Sequence, residues 1–120
     1  LRSIQSDKKI PVYGDGKNVR EWLFVEDNVK AIHYVMSNAE MNQTFNVSSG
    51  NELINLKVIE SVCSVLGKNP DEWIEFVPDR LGHDFRYSIS NKKLSEIGFN
   101  DYSDFDLSLK KTIAYYMGEE

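Results

Sequence analysis

Val12-Tyr13-Gly14-Asp15-Gly16-Lys17-Asn18-Val19-Arg20-Glu21-Trp22-Leu23-Phe24-Val25-Glu26-Asp27 is the stretch from which the fold is read. Ahead of it, Ile10-Pro11 extends Val12-Tyr13 into a short apolar run, and Val19 to Val25 is a second run of strand-forming residues. Asp15-Gly16 between them is a hairpin-like turn signal. In the second run Val19, Glu21, Leu23 and Val25 share one face and Arg20, Trp22 and Phe24 the other. Arg20 is thereby expected beside two aromatics, a setting suited to a guanidinium. Glu26-Asp27 then opens a helix, since acidic side chains favour its positive end.

Working outward, that helix is expected to run to about Asn38 with Val29, Ile32, Val35 and Met36 facing the core. Thr44 to Ser48 reads as a strand and Ser49-Gly50-Asn51 as a loop. Asn55 is expected to cap a helix whose stripe is Leu56, Ile59, Val62, Cys63 and Leu66, with Gly67 ending it. Trp73 to Val77 is a further strand, followed by a polar loop from Pro78 to Tyr87. Ser90 caps a short helix reaching Ile97, which Gly98 terminates. Asp104 leads a last helix presenting Phe105, Leu109, Thr112, Ile113, Tyr116 and Met117. The first nine residues have no clear period. The class is α/β in the loose sense, mixed α and β.

The chain has 120 residues, 41% of them apolar and 28% charged, with a formal net charge of −5. That size fits one hydrophobic core. An acidic chain is a poor binder of polyanions, so neither nucleic acid nor an anionic membrane is expected as a partner. No apolar run approaches the roughly 18 residues a membrane span needs. One cysteine, Cys63, excludes an internal disulfide framework. The expectation is a soluble, cytoplasmic protein. The chain begins at Leu1, in mid-phrase, which suggests a piece of something longer.

Familiar catalytic patterns are sparse. His33 and His83 show no metal-ligand spacing, and no metal is expected. His33 reads as a surface or half-buried helix residue and Cys63 as a small hydrophobe on an apolar stripe. Tyr13 and Lys17 have the Tyr-x-x-x-Lys spacing of short-chain dehydrogenases. That pair needs one helical face, and Gly14-Asp15-Gly16 makes a turn instead. Two polar loops stand out: the Tyr13 turn with Arg20 beyond it, and Asp79-Arg80-Leu81-Gly82-His83-Asp84. Arginine forks suit a diphosphate, and a helix N-terminus at Asn55 offers further donors. From pattern alone, surface ion pairs are the favoured account of Arg20 and Arg80.

The opening stretch resembles a Y-G-x-G-x-x-x-R-x-F/W-x-F/Y-V-x-D pattern of extended short-chain dehydrogenases that act on nucleotide sugars. Thr44-Phe45-Asn46-Val47-Ser48-Ser49-Gly50-Asn51-Glu52 resembles T-Y-N-I-G-G-x-N-E, and Phe76 to Tyr87 resembles x-V-x-D-R-P-G-H-D-R-R-Y. Leu109 to Tyr116 resembles L-x-x-T-V-x-W-Y. These narrow the likeness to the dTDP-glucose 4,6-dehydratases of the NAD-dependent epimerase/dehydratase family. Leu81 replaces the usual proline, Ser48-Ser49 a glycine-rich pair and Phe85 an arginine, and Leu81 is expected to loosen its loop.

The resemblance implies that residues 1–120 are the C-terminal substrate-binding portion of a Rossmann-fold enzyme. It assigns the dTDP moiety of the substrate to Tyr13, Arg20, Asn55, Asp79, Arg80 and His83. It places no catalytic residue here. NAD would be held by a missing N-terminal half, because the family's Gly-x-x-Gly-x-x-Gly turn does not occur in this chain. The whole enzyme would be a homodimeric lyase converting dTDP-glucose to its 4-keto-6-deoxy derivative, and this portion would be inactive alone. The remaining alternatives are another nucleotide-sugar epimerase or decarboxylase, a stand-alone nucleotide-sugar binding module, and an unrelated acidic α/β domain.

Overall fold

The two runs flanking Asp15-Gly16 do become strands, yet they pair with different partners. In a computed structural model describing residues 1–118, β1 (Ile10–Tyr13) lies parallel to β4 (Ile74–Val77), with Tyr13 opposite Val77. β2 (Val19–Glu21) lies antiparallel to β3 (Glu52–Ile54), with Arg20 opposite Leu53. The Asp15-Gly16 turn exists, closed by the Gly16 amide donating to the Tyr13 carbonyl at 3.2 Å. It hands the chain from one two-stranded sheet to the other, so the expected hairpin does not form. The last two residues of the expected unit, Glu119 and Glu120, lie outside the described residues.

The expected Thr44–Ser48 strand is also absent: residues 43–51 are irregular and the chain joins β2 from Glu52 to Ile54. Side chains replace the ladder there. Glu21 accepts from the Ser48 hydroxyl, from the Gly50 amide at 2.7 Å and from the Ile89 amide at 3.2 Å. Adjacent β2 residues thus serve opposite faces: Glu21 ties down the irregular segments, and Arg20 turns toward the polar loop.

Helices α1 (Arg2–Gln5), α2 (Val25–Asn38), α3 (Asn55–Val65), α4 (Pro70–Trp73), α5 (Lys92–Glu96) and α6 (Phe105–Met117) complete the mixed α/β architecture. α3 packs against α4 and α6. Asp104 caps α6 as expected, accepting from the Leu107 amide at 3.1 Å, and Gly118 closes it in the left-handed conformation. Asn91 rather than Ser90 stands at the cap position of α5, although the Ser90 hydroxyl oxygen accepts from the Lys92 amide at 3.3 Å.

The buried face of α2 departs from the expected stripe. Val29, Ile32 and Met36 are 59%, 49% and 80% exposed, whereas Asp27 and Ala31 are buried. Two features select that face. The Asp27 carboxylate accepts from the Ser103 amide at 2.8 Å and from the Ser103 hydroxyl at 2.7 Å, satisfying a group too polar to bury unpaired. Ala31 is small enough to sit against Leu94 and Phe99, which form the central cluster with Tyr34, Val35, Phe45, Val47, Ile97 and Tyr102 around it. Apolar side chains thus stand on both sides of α2, and periodicity alone marks the outer one.

Candidate functional site: an arginine pair on one imidazole

Parallel pairing of β1 with β4 delivers Tyr13 and the loop after Val77 to the same end of the sheet. The Gly14 amide continues that pairing, donating to the Val77 carbonyl at 3.0 Å. Gly14 has φ +58, and a Cβ there would stand 3.0 Å from an Asp79 carboxylate oxygen, so the approach of the loop depends on glycine. From the other sheet, the Val19 amide donates to the Phe85 carbonyl at 2.7 Å and the Tyr87 amide to the Val19 carbonyl at 3.2 Å. Loop 78–87 is therefore stitched to both sheets, and His83 lies between the arginines they supply.

Nη2 of Arg20 is 3.1 Å and Nη2 of Arg80 is 3.0 Å from Nε2 of His83. Guanidinium groups only donate, so Nε2 must accept. The ring proton is then on Nδ1, which donates to Asp79 at 2.6 Å. This bond, followed by the Arg80 amide on the same carboxylate, holds the Asp79 carboxyl below its ordinary value of 3.8. A depressed folded-state value means the contribution is present above the ordinary aspartate range and lost as pH falls through the folded value. The Asp79 carboxyl carbon, followed by NMR, is expected to titrate with a midpoint below 3.8; a midpoint at or above it would show the bond to His83 absent in solution.

Arg20 is committed on every terminal nitrogen. Nη1 donates to the Val19 and Phe85 carbonyls at 2.6 and 3.3 Å, and Nη2 also to the Asp84 carbonyl at 2.9 Å. Its face lies 4.5 Å from the Tyr87 ring centre, so Trp22 and Phe24 are not the aromatics beside it. Arg80 is freer, standing 5.0 Å from the Tyr13 ring with its side chain bonded only to His83 among the described residues. Ion pairs among the described residues involve Lys17, Lys30, Lys57, Arg86, Lys92 and Lys111. Among the described residues neither Arg20 nor Arg80 has a carboxylate partner, and surface ion pairs there do not account for them.

A cavity of about 290 Å³ opens beside the pair, lined by Tyr13, Asn55, Arg80 and His83 with Pro11, Val12, Gly16, Trp22, Val58 and Ile59. Four of the six expected residues line it; Asp79 and Arg20 do not, but each bonds His83. Asn55 is the first residue of α3 rather than its cap, which is Ile54. Its amide donates to the Asn18 carbonyl and that of Leu56 to the Gly16 carbonyl, both at 3.0 Å. The first two backbone donors of this helix are thus spent, and the Asn55 side-chain amide is a further group it can offer. Trp22 and Tyr87 had no assigned part from sequence. The strand pattern puts Trp22 on one face with Arg20, but β2 stops at Glu21 and Trp22 becomes a cavity wall.

Residues 1–48 match the NAD dependent epimerase/dehydratase family. The whole chain is 41% identical over 120 residues to a low-salt glycan biosynthesis protein of Haloferax volcanii, covering 38% of that protein. It is 35% identical over 123 aligned positions to dTDP-glucose 4,6-dehydratase of Neisseria gonorrhoeae, covering 93% of this chain and 36% of the relative. The crystal structure of dTDP-glucose 4,6-dehydratase from Bacillus anthracis in complex with NAD superimposes with a TM-score of 0.87 at 35% identity, over 99% of this chain and 37% of that one.

The chain is similar, over part of their length, to enzymes of the NAD dependent epimerase/dehydratase family.

It spans just over a third of the length of the curated relatives it matches. Dinucleotide binding in such folds needs a strand, a glycine-rich turn and a helix opening on the pyrophosphate. Here Gly14 and Gly16 follow β1 but lead into β2, so the described residues do not fit NAD. No helix among the described residues is long and apolar enough to cross a membrane.

Proposed function

We propose that this chain holds the dTDP part of a nucleotide sugar for a dTDP-glucose 4,6-dehydratase, the lyase that removes water from dTDP-glucose to give dTDP-4-keto-6-deoxyglucose. The observation that carries the reading is the pair of guanidinium groups without carboxylate partners, meeting on one neutral imidazole at the mouth of a cavity. Two adjacent positive charges in such a place favour a diphosphate, to which Arg80 presents open donors. Tyr13 offers a ring face at the cavity and Asn55 an amide. Asp79 fixes His83 from behind. The chain contributes binding energy and orientation, and no proton transfer is assigned to it.

In this reading NAD and the acid and base groups belong to residues outside these 120. The working enzyme is a soluble, cytoplasmic homodimer, with no nucleic acid or membrane partner, and residues 1–120 form its C-terminal substrate-binding region. Calorimetric titration of the 120-residue chain with dTDP and with UDP tests the assignment. Binding of dTDP ahead of UDP is the expected result. A clear preference for UDP would move the chain to a nucleotide-sugar epimerase or decarboxylase, and turnover of dTDP-glucose by this chain alone would overturn the division of labour.

Leu81 permits a further check. The His83 amide donates to the Arg80 carbonyl at 3.2 Å and Gly82 has φ +70, the pattern of a type II turn with Leu81 in its second position. Leu81 is wholly exposed, and proline is favoured at that place. Leu81→Pro is expected to order the loop by about 0.4–1 kcal/mol through lost freedom of the open chain. The same titration should then show dTDP bound roughly two- to fivefold more tightly. Weaker binding would mean the loop must open further than a fixed turn allows.

A further inference from the structure

Hydrogen bonds hold the edges of the Arg20 guanidinium, and its flat face is held by Tyr87 alone among the described residues, at 4.5 Å. Tyr87 is itself fixed at both ends. Its amide donates to the Val19 carbonyl at 3.2 Å, beside the parallel bridge between Val19 and Arg86. Its hydroxyl donates to the Asp84 carboxylate, whose main-chain carbonyl in turn accepts from Arg20. Ring, carboxylate residue and guanidinium close a circuit. The Asp84 carboxylate also pushes the Tyr87 hydroxyl up from its ordinary value, which keeps the donor protonated.

We propose that Tyr87 is a positioning residue for Arg20, its ring fixing the plane in which the guanidinium meets the diphosphate. The inference rests on the dTDP reading above. A guanidinium donates in parallel only within its own plane, so whatever sets that plane decides whether an anion is met by a fork or by a tilted edge. An anion reaching Arg20 exchanges with its longer bonds, those to Phe85 and His83, while the stacked ring keeps the group from turning. Tyr87 touches no ligand in this account; it works through Arg20.

The test is a double-mutant cycle on the full 120-residue chain, titrated with dTDP and with thymidine, which lacks phosphate. Tyr87→Leu is expected to weaken dTDP binding about three- to tenfold, the range of a partly exposed cation–π contact. Thymidine binding should be unchanged, and Tyr87→Phe should stay within about twofold of the parent because the stacked face remains. In an Arg20→Ala background the Tyr87→Leu change should cost nothing further. Unchanged dTDP binding in Tyr87→Leu, an equal loss of thymidine, or full additivity with Arg20→Ala would each overturn the proposal. Should Tyr87→Leu fail to fold, Tyr87→Trp carries the test: affinity near the parent supports positioning, and a loss of tenfold or more overturns it. Failure of the unaltered chain to bind dTDP would appear before any variant is made; it would sink the nucleotide reading and the Tyr87 inference with it.

Discussion

His83→Ala is expected to weaken dTDP binding about 10- to 100-fold, the largest effect of any single change at the site. The imidazole is the shared acceptor of two guanidinium groups and the donor to Asp79. One hydrogen bond to a charged group is worth ~1.5–3 kcal/mol, and removing this ring breaks three at once. Their energies will not simply add, because the partners rearrange. Without the ring, Arg20 and Arg80 lose the neutral atom between them, and Asp79 is free to swing onto Arg80 and neutralise the charge meant for the ligand. His83→Gln, whose amide both accepts and donates, should recover part of the loss. Thermal stability should fall too, by about 1–3 kcal/mol, since the His83 side chain is nearly buried and joins three charged partners. Calorimetry beside a melting curve checks both statements; an affinity loss below threefold would mean the arginines do not depend on His83.

Leu94→Ala is expected to destabilise the chain by about 2–5 kcal/mol, a large part of a typical domain's total of roughly 5–15. Leu94 is fully buried and forms the central cluster with Ala31 and Phe99, so truncation leaves a cavity bounded by a helix on one side and an aromatic on the other. A fall in melting temperature of roughly 10 °C or more should follow in a circular-dichroism melt. Met36→Ala removes a side chain of similar size from α2, but one that is 80% exposed, and should change stability by less than about 0.5 kcal/mol. Comparable losses for the two would restore the outward stripe of α2 to the core.

The contrast shows what could be read from the residues alone. Helix positions were legible, because Glu26-Asp27, Asp104, Gly67 and Gly98 act within a turn of themselves and need no distant partner. The facing of α2 was not, since apolar side chains flank it on both sides and the choice depends on Ser103, a residue far along the chain. Strand partners failed for the same reason. Asp15-Gly16 advertises a local hairpin, whereas β1 finds its mate in β4, a parallel pairing whose other half no local pattern announces. Thr44 to Ser48 has the residues of a strand, but its polar groups are drawn instead to Glu21, to the Ser90 carbonyl and to Lys93 of α5. At the site, residue types and resemblance singled out six side chains, of which Tyr13, Asn55, Arg80 and His83 line one cavity. They did not reveal that Arg20 spends its terminal donors on carbonyls and on His83, which is a matter of geometry and not of composition.

Arg20 and Glu21 have a bearing on any attempt to transplant this corner of the molecule. A strand only three residues long carries, on consecutive positions, the charge that meets His83 and the charge that anchors two irregular segments. Inserting or deleting one residue ahead of β2 would exchange the two, turning a carboxylate toward His83 and a guanidinium toward the Gly50 amide. Grafting the polar loop alone would therefore carry over letters without their grammar. The smallest portable unit is β2 together with both the loop it clasps and the segments it ties down.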